Sequence, residues 1–453
     1  MTRDDAQISV TPQWSDESKD VHIGTFTLEG DGDYMITADY TDKSGNEMEQ
    51  YASQQITIDT EDPVISVSDI VAGSASKEEK YGFTITAEDQ NLDGGTFEAS
   101  LTAVEQNENG SFETKEIPLG TAHAVEAGRI YTYTVDNLPD DAIYTLSCSV
   151  TDMAGHTTQK FSLADGSEYE NVQFSINRHG SNFLLDTDTE ELTEQYYVYS
   201  VENDVIVREI NVDVVEDYTV RLNDEVLNEN RDYKTELSGG DGQWSERDYI
   251  IDKKLFQEEG EYYLTVESKD KTETVAYSDV KNAGVAFVVD QSAPSVTITG
   301  LKQQGRYQTD EKTVSVMPTD EGGKLNSFAA IVLDSDGNPI KNAAGEDISR
   351  RVELTGEDLL TQLADNDGKI TFTVPEGLDM QVQIICTDCA VQPDGSTNEY
   401  NELFQEITVS PSQWIMFYAN KPLFYGAVAA VCVPVAGGTA WILFRRKKKV
   451  LKK

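Results

Sequence analysis

One pattern recurs along this chain and limits what it can fold into. A tyrosine is followed eight positions later by an aspartate, with apolar and polar residues alternating between them, at Tyr34–Asp42, Tyr144–Asp152 and Tyr262–Asp270. A fourth copy, Met380–Asp388, has methionine in the tyrosine's place. The four aspartates stand 110, 118 and 118 positions apart. A near-constant interval of this kind marks serial copies of one small unit rather than a single large body. Each copy is followed by a polar stretch and a strand-like run, QQITID to Asp59, VQFSIN to Asn177, VAFVVD to Asp290 and QEITVS to Ser410. Two of these runs lead after three residues into proline-started strands, at Pro63 and Pro294, a position where the missing N–H of proline is harmless.

Inside each copy nearly everything reads as strand. Runs such as YTYTV at 131–135 and KITFTV at 369–374 alternate at period two, and Asn109-Gly110, Asp336-Gly337, Asp367-Gly368 and Asp394-Gly395 supply turns. Many short antiparallel strands in units of this length predict two-sheet sandwiches. The reading is therefore all-β: a partial module at 1–59, then modules at 60–177, 178–290 and 291–410. A juxtamembrane linker at 411–422, a transmembrane helix at 423–444 and a basic tail at 445–453 complete the predicted order. Gln13-Trp14-Ser15 and Gln243-Trp244-Ser245 precede their tyrosines at similar distances, so residues 1–59 match only the latter part of a module. MTRDDAQISV also lacks the apolar core of an export signal, and both features lead us to expect further sequence upstream.

The tyrosines have a physical role in such modules. In sandwiches of the immunoglobulin kind, a tyrosine leading the penultimate strand donates its hydroxyl to backbone a few residues upstream. Tyr34, Tyr144 and Tyr262 are the expected structural corners; Met380 cannot donate, so the fourth module should differ there. On this reading the recurring pattern is a fold signature rather than a site.

The C-terminal run LFYGAVAAVCVPVAGGTAWILF carries no charge across 22 residues, about 33 Å of helix, enough to span a hydrocarbon core of about 30 Å. Arg445, Arg446, Lys447, Lys448 and Lys449 follow it as a stop-transfer cluster, which predicts a cytoplasmic C-terminus and an extracellular remainder of a single-pass protein in the cell membrane. The formal net charge of −47 excludes nucleic acid as a partner, because phosphate binding needs a basic face.

The pattern Tyr…Asp-x-x-Gly-Asn…Asp-x-x-x-Pro, strongest at Asp42-Lys-Ser-Gly45-Asn46 and Asp152-Met-Ala-Gly155-His156, resembles the bacterial Ig-like repeats of Gram-positive cell-surface proteins. That resemblance covers residues 1–410 and implies a surface stalk or adhesin with no chemistry of its own. Asp270-Lys-Thr-Glu273 and Asp388-Cys-Ala-Val391 lack the glycine, which predicts longer turns there. The tail also resembles a sortase sorting signal, but SPSQWIMFYANKP contains no L-P-x-T-G, so a retained membrane anchor is expected instead.

No serine-hydrolase, zinc-protease or phosphate-loop motif is present, and no catalytic residue or cofactor site is assigned. Glycoside hydrolysis by paired carboxylates would need a cleft that sandwiches of this size rarely supply. Cys386 and Cys389 have C-x-x-C spacing, yet no second ligand pair exists and Cys386 lies in a strand-like run, so strand packing is the better account. Calcium is the one metal considered. Asp186, Asp188 and Glu190, with Asp31-Gly-Asp33 and Asp334-Ser-Asp336, bring oxygen ligands together but build no complete calcium loop, and the most plausible place for the ion is near module junctions. Trp14, Trp244 and the Tyr196-Tyr197 pair are candidates for a carbohydrate- or protein-binding face, core packing being the alternative. The expected function is a non-enzymatic, membrane-anchored stalk or adhesin for an extracellular protein or glycan ligand. The alternatives are a binding array, or the stalk of a surface enzyme whose catalytic domain lies upstream. Short junctions predict a semi-rigid rod of about 30 Å per module, on the order of 100 Å in all.

Overall fold

The computed structural model describes residues 1–107, 110–239, 243–279, 283–341, 344–347, 349–432 and 440–441. Three separate hydrophobic cores are strung along the chain, one between Ile65 and Ile176, one between Phe183 and Val289 and one between Leu301 and Val409.

The first of these units shows how the sequence pattern becomes a sandwich. Val64–Val67 pairs antiparallel with Phe83–Glu88, which pairs with Ile130–Val135. The facing sheet carries Glu98–Gln106, Ala142–Thr151 and Asn171–Ile176 side by side. Between its first and second strands the chain crosses over, and Ala75–Ser76 pairs parallel with the closing strand Asn171–Ile176. First, second and fifth strands against third, penultimate and closing strands is the two-sheet arrangement of an immunoglobulin-like domain. The next unit repeats it with Asn182–Leu185, Val205–Asn211 and Ser245–Ile251 facing Val215–Leu222, Gly260–Asp270 and Val285–Val289. The last repeats it with Ser295–Thr299, Lys312–Thr319 and Ile370–Val374 facing Leu325–Leu333, Gly377–Val391 and Thr397–Val409. Residues 1–59 form a four-stranded sheet around Gly32–Met35 and Ile56–Ile58, with an exposed hairpin of Gln13–Ser18 and Val21–Thr25.

Alternation sets which residues reach each core. In Gly377–Val391 the buried positions are Met380, Val382, Ile384, Cys386, Asp388 and Ala390, every second residue. Because eight is an even number, the first and last residues of the recurring pattern lie on the same inward face. At about 3.3 Å per residue they are roughly 26 Å apart, at opposite poles of the module.

At the first pole each tyrosine hydroxyl donates to backbone a few residues upstream. Tyr34 donates to the Glu29 and Gly30 carbonyls at 2.8 Å each, Tyr144 to Asp140 at 2.9 Å and Tyr262 to Glu258 at 2.8 Å. Met380 is buried at the equivalent corner, beside an irregular pairing and an Asp379 with φ of 51°.

Two turn expectations resolve differently. In the last module the penultimate strand continues past Asp388 to Val391 and turns only at Gln392–Ser396, so that connection is displaced. In the module before, the turn is not longer. Glu273 takes the left-handed conformation (φ 63°) that Gly45 and Gly155 supply elsewhere, and Asp270 N–H still donates to Thr274. Two helices interrupt the strands, Thr187–Gln195 and Gly356–Asp365, which a strand-only reading passes over. The segment 411–422, expected as a linker, contains the helix Gln413–Ala419.

No single helix among the described residues is long and apolar enough to cross a membrane. Gln413–Ala419 and Lys421–Cys432 qualify only as a pair bent by 93°. Residues 433–439 and 442–444 of the expected span and the cluster Arg445, Arg446, Lys447, Lys448 and Lys449 lie outside the described residues.

Replacing Tyr144 by phenylalanine keeps its ring against Phe174 and removes only the corner bond. A loss of about 0.5–1.5 kcal/mol in urea unfolding is expected, the range for one intramolecular hydrogen bond. An unchanged midpoint would remove the corner from the account.

Candidate functional site

The second pole of each module is where the recurring aspartate lies, and there it meets the preceding module. Three elements converge at each junction. The preceding module ends its closing strand one residue before Asp59, Asn177 or Asp290. The next module contributes the residue at or just past the end of its second strand, Asp89, Asn211 or Asp320. Its penultimate strand adds Asp152, Asp270 or Asp388, which are 4%, 1% and 0% exposed. The recurring aspartate is therefore more than a fold signature: in three of its four copies it is buried in a boundary between modules. In the first copy, Asp42 is only half-buried and caps its own turn, accepting from the Ser44 and Asn46 N–H groups at 2.8 Å and from the Asn46 amide at 2.7 Å.

The three boundaries satisfy the buried carboxylate in different ways. In the first, Asp152 accepts from Gly155 N–H at 2.6 Å and His156 N–H at 2.9 Å, with the His156 ring Nδ1 at 2.8 Å from its second oxygen. The amide of Asn91, in the orientation its neighbours require, donates to both Asp89 and Asp59. Burial alone would raise Asp152, but its bonds from His156 and Gly155 outweigh it and hold the carboxyl below its ordinary value. The hydrogen bond to Asp152 raises the imidazole of His156.

In the second boundary, asparagines occupy two of the three positions. Asn177 donates to Asn211 at 3.0 Å and to Asp270 at 2.8 Å; Asn211 donates to the Ser181 hydroxyl at 2.9 Å. The Thr272 hydroxyl and the Thr274 N–H donate to the other Asp270 oxygen at 2.7 and 3.0 Å. One buried charge thus sits in a complete set of donors.

The third boundary brings together three carboxylates. Asp290, Asp320 and Asp388 each place an oxygen within 4.8 Å of the others. Asp290 is 3% exposed. Its first oxygen accepts from Ser292 N–H at 3.1 Å, while its second oxygen and both oxygens of Asp320 are buried without a hydrogen-bond partner. Asp388 accepts from Ala390 N–H at 3.1 Å and Asn398 at 2.8 Å. It lacks the turn donors of its counterparts because its strand runs on past it. Burial first, then Asp290, Asp388 and Glu259, push the Asp320 carboxyl up to about 6. Burial, opposed by the Asn398 bond and reinforced by Asp290, pushes Asp388 up to about 6. Asp290 is raised as well, again chiefly by burial.

The residues singled out from sequence for calcium are elsewhere. Asp186 caps the helix Thr187–Gln195, accepting from Thr189 N–H at 3.1 Å, and Asp188 and Glu190 occupy its first turn, with Asp188 accepting from Asn203 at 2.7 Å. Asp334 holds a turn through Asp336 and Asn338 N–H, and Asp33 accepts from Thr57. Among the described residues the groups of three convergent ligands are Asp59–Asp152–His156 and Asp290–Asp320–Asp388. Sequence spacing points to neither, because their members are up to 98 positions apart in the chain.

Of the aromatic candidates, Trp14 is 69% exposed on its hairpin, and Trp244 is 7% exposed and buried between modules. Its indole N–H donates to the Val104 carbonyl at 2.8 Å, and its ring packs with Ile143, Ile210 and Val212. The Tyr196 and Tyr197 rings meet edge to face at 5.0 Å, and the Tyr196 hydroxyl donates to Glu261. Cys386 is buried in its strand, and the described cysteines 148, 386, 389 and 432 are free thiols.

Neither a protein-family profile nor a curated protein matches this chain. Solved structures similar to it include a complex of Dpr2 Ig1–Ig2 with DIP-Theta Ig1–Ig3, at 11% identity over 76% of this chain and 99% of the other, with a TM-score of 0.23. Extracellular cadherin domains 1–4 of protocadherin gamma B7 match at 12% identity over 88% and 91%, also with a TM-score of 0.23. At that score neither likeness carries an argument, and the immunoglobulin-like reading rests on the strand order described above.

The His156 contact makes a directional expectation. Its raised folded value means that the pair's contribution is complete below about pH 6.5, the ordinary histidine value, and is lost as pH rises through the raised one. His156→Gln should flatten stability against pH over that interval, as followed by thermal melting. An unchanged profile would show that the pair does not couple to folding.

Proposed function

We propose that the chain is a non-enzymatic, membrane-anchored cell-surface protein of the Gram-positive kind, whose tandem immunoglobulin-like modules project outward as a semi-rigid rod to bind or present an extracellular protein or glycan. The observation that carries this reading is the absence of slack at the boundaries. Each closing strand ends one residue before a junction residue, Asp59 half-buried and Asn177 and Asp290 buried, so no free linker separates neighbouring modules. Two further contacts stiffen them. Trp244 and its apolar partners join the modules on either side of Arg178, whose guanidinium also bonds the Leu138 and Pro139 carbonyls. Val198 pairs in parallel with Val391, so that one sheet of eleven strands runs from one module into the next.

Surface area supports an extended body. The accessible surface is 27425 Å², whereas one compact protein of 50.1 kDa would expose roughly 17000 Å². The acidic excess suits a rod held off an anionic bilayer. Anchoring is supported by the uncharged run at 423–444 and by the exposed rings of Trp414, Tyr418 and Tyr425 around the bend that precedes it, a composition that favours the membrane–water interface. Lys421 pairs with Asp379 at 2.9 Å, tying that region to the last module.

Two measurements test the reading. Small-angle scattering of residues 60–410 should give a largest dimension on the order of 100 Å, for three modules at about 30 Å each; a compact scattering profile would refute the rod. The full chain should sediment with membranes through a high-salt wash and become soluble when residues 423–453 are deleted. Solubility of the full chain would refute the anchor.

A further inference from the structure

We propose that the boundary between the last two modules binds one hard divalent cation, calcium in an extracellular setting, through Asp290, Asp320 and Asp388. This goes beyond the reading of the chain as a surface rod and holds whether or not the chain is anchored, since it concerns two modules alone.

Three carboxylate oxygens at this boundary are buried with nothing to bond. Asp290 is 3% exposed, and its second oxygen lies buried without a partner, as do both oxygens of Asp320. They face one another. A Cβ placed on Gly323 would lie 1.9 Å from that Asp290 oxygen and 2.5 Å from an Asp320 oxygen, so the glycine leaves the space that the two carboxylates share. No lysine, arginine or histidine among the described residues forms an ion pair with any of the three, and Glu259 adds further negative potential. Leaving buried carboxylates uncompensated is strongly unfavourable, and nature's usual remedies are donors, protons or a metal.

The same chain shows the first remedy twice. At the equivalent positions of the preceding boundary stand Asn177, Asn211 and Asp270, one charge among amide, hydroxyl and backbone donors. The boundary before that recruits the Asn91 amide and the His156 ring. The last boundary has an acid at all three positions and no such donor on Asp320. A cation supplies the missing positive charge. Three carboxylates with only oxygen donors suit a hard ion such as calcium, which takes six to eight oxygens and tolerates irregular geometry, in preference to zinc. The ligands come from the closing strand of one module and from two strands of the next, so a bound ion would lock that boundary, while the amide-filled boundary stays locked without one.

The test uses the full chain in detergent micelles, stripped with chelator and titrated with calcium chloride alone from about 10⁻⁵ to 10⁻² M, the range of extracellular calcium modules, with magnesium chloride as a parallel arm. Heat of binding and the melting midpoint are followed together. Calcium should bind and raise the midpoint, and magnesium should do so more weakly. Asp320→Asn copies the asparagine of the preceding boundary. It should weaken calcium binding about tenfold or more and, by removing a repelling charge, melt higher than the parent in chelator. Asp388→Asn should lose the calcium response as well, whereas Asp270→Asn, at the preceding boundary, should keep it. No calcium response in the parent, a response retained by Asp320→Asn, or an Asp320→Asn protein that melts lower than the parent in chelator would each overturn the proposal. None of these outcomes depends on whether the chain sediments with membranes or scatters as a rod.

Discussion

A strand that carries an aspartate on its inward face must do something with the charge, and the molecule is organised around that obligation. Period-two alternation takes the penultimate strand of each module from an aromatic or methionine corner, through three inward-facing residues, to a carboxylate at the far pole. There the carboxylate cannot reach water, because another module is packed over it. Desolvation of an ionised group is costly enough that each boundary must be built from whatever compensates it. The boundaries are consequently the most specific places in a structure whose cores are otherwise ordinary aliphatic and aromatic packing.

The apolar contacts between modules follow from the same crowding. Once Asn177, Asn211 and Asp270 are fastened together, Trp244 is brought against Ile143 and the Val104 carbonyl, where its large ring is buried and its N–H satisfied. At the next boundary Tyr199 N–H donates to the Val391 carbonyl at 3.2 Å, and the amide of Asn398 reaches both Asp388 and the Asp290 carbonyl. Polar and apolar contacts of this kind reinforce one another, since water excluded by the second strengthens the first.

Much of this was legible in the sequence because it is local. Strand alternation, the tyrosine corners and the tally of modules each need only a short window. The immunoglobulin-like order needs only the repetition of those windows. What was not legible depends on contacts between distant positions. Nothing near Asp290 in the chain announces Asp320 or Asp388, whereas acidic residues dense along the sequence, such as Asp186, Asp188 and Glu190, form the cap and first turn of a helix. Trp244 reads equally well as a binding residue or a packed one until Val104 is seen beside it. The helix Gly356–Asp365 was readable from Leu359 and Leu363, four apart, but the surrounding strand pattern masked it. Glu273, in a conformation that usually calls for glycine, hid a turn of ordinary length.

One feature of the pairing bears on how such a chain would respond to being pulled. In each complete module a short crossover segment near the entry lies parallel to the closing strand: Ala75–Ser76 on Asn171–Ile176, Tyr197–Val198 on Val285–Val289, and Arg306–Tyr307 on Thr397–Val409. Tension applied to the two ends of a module draws parallel neighbours in opposite directions along their length. Their hydrogen bonds then bear the force side by side and must rupture together, whereas bonds loaded across a hairpin would open one at a time. The fold therefore meets stretching with its stiffest geometry, and its lifetime under load is set by the barrier to unfolding rather than by equilibrium stability.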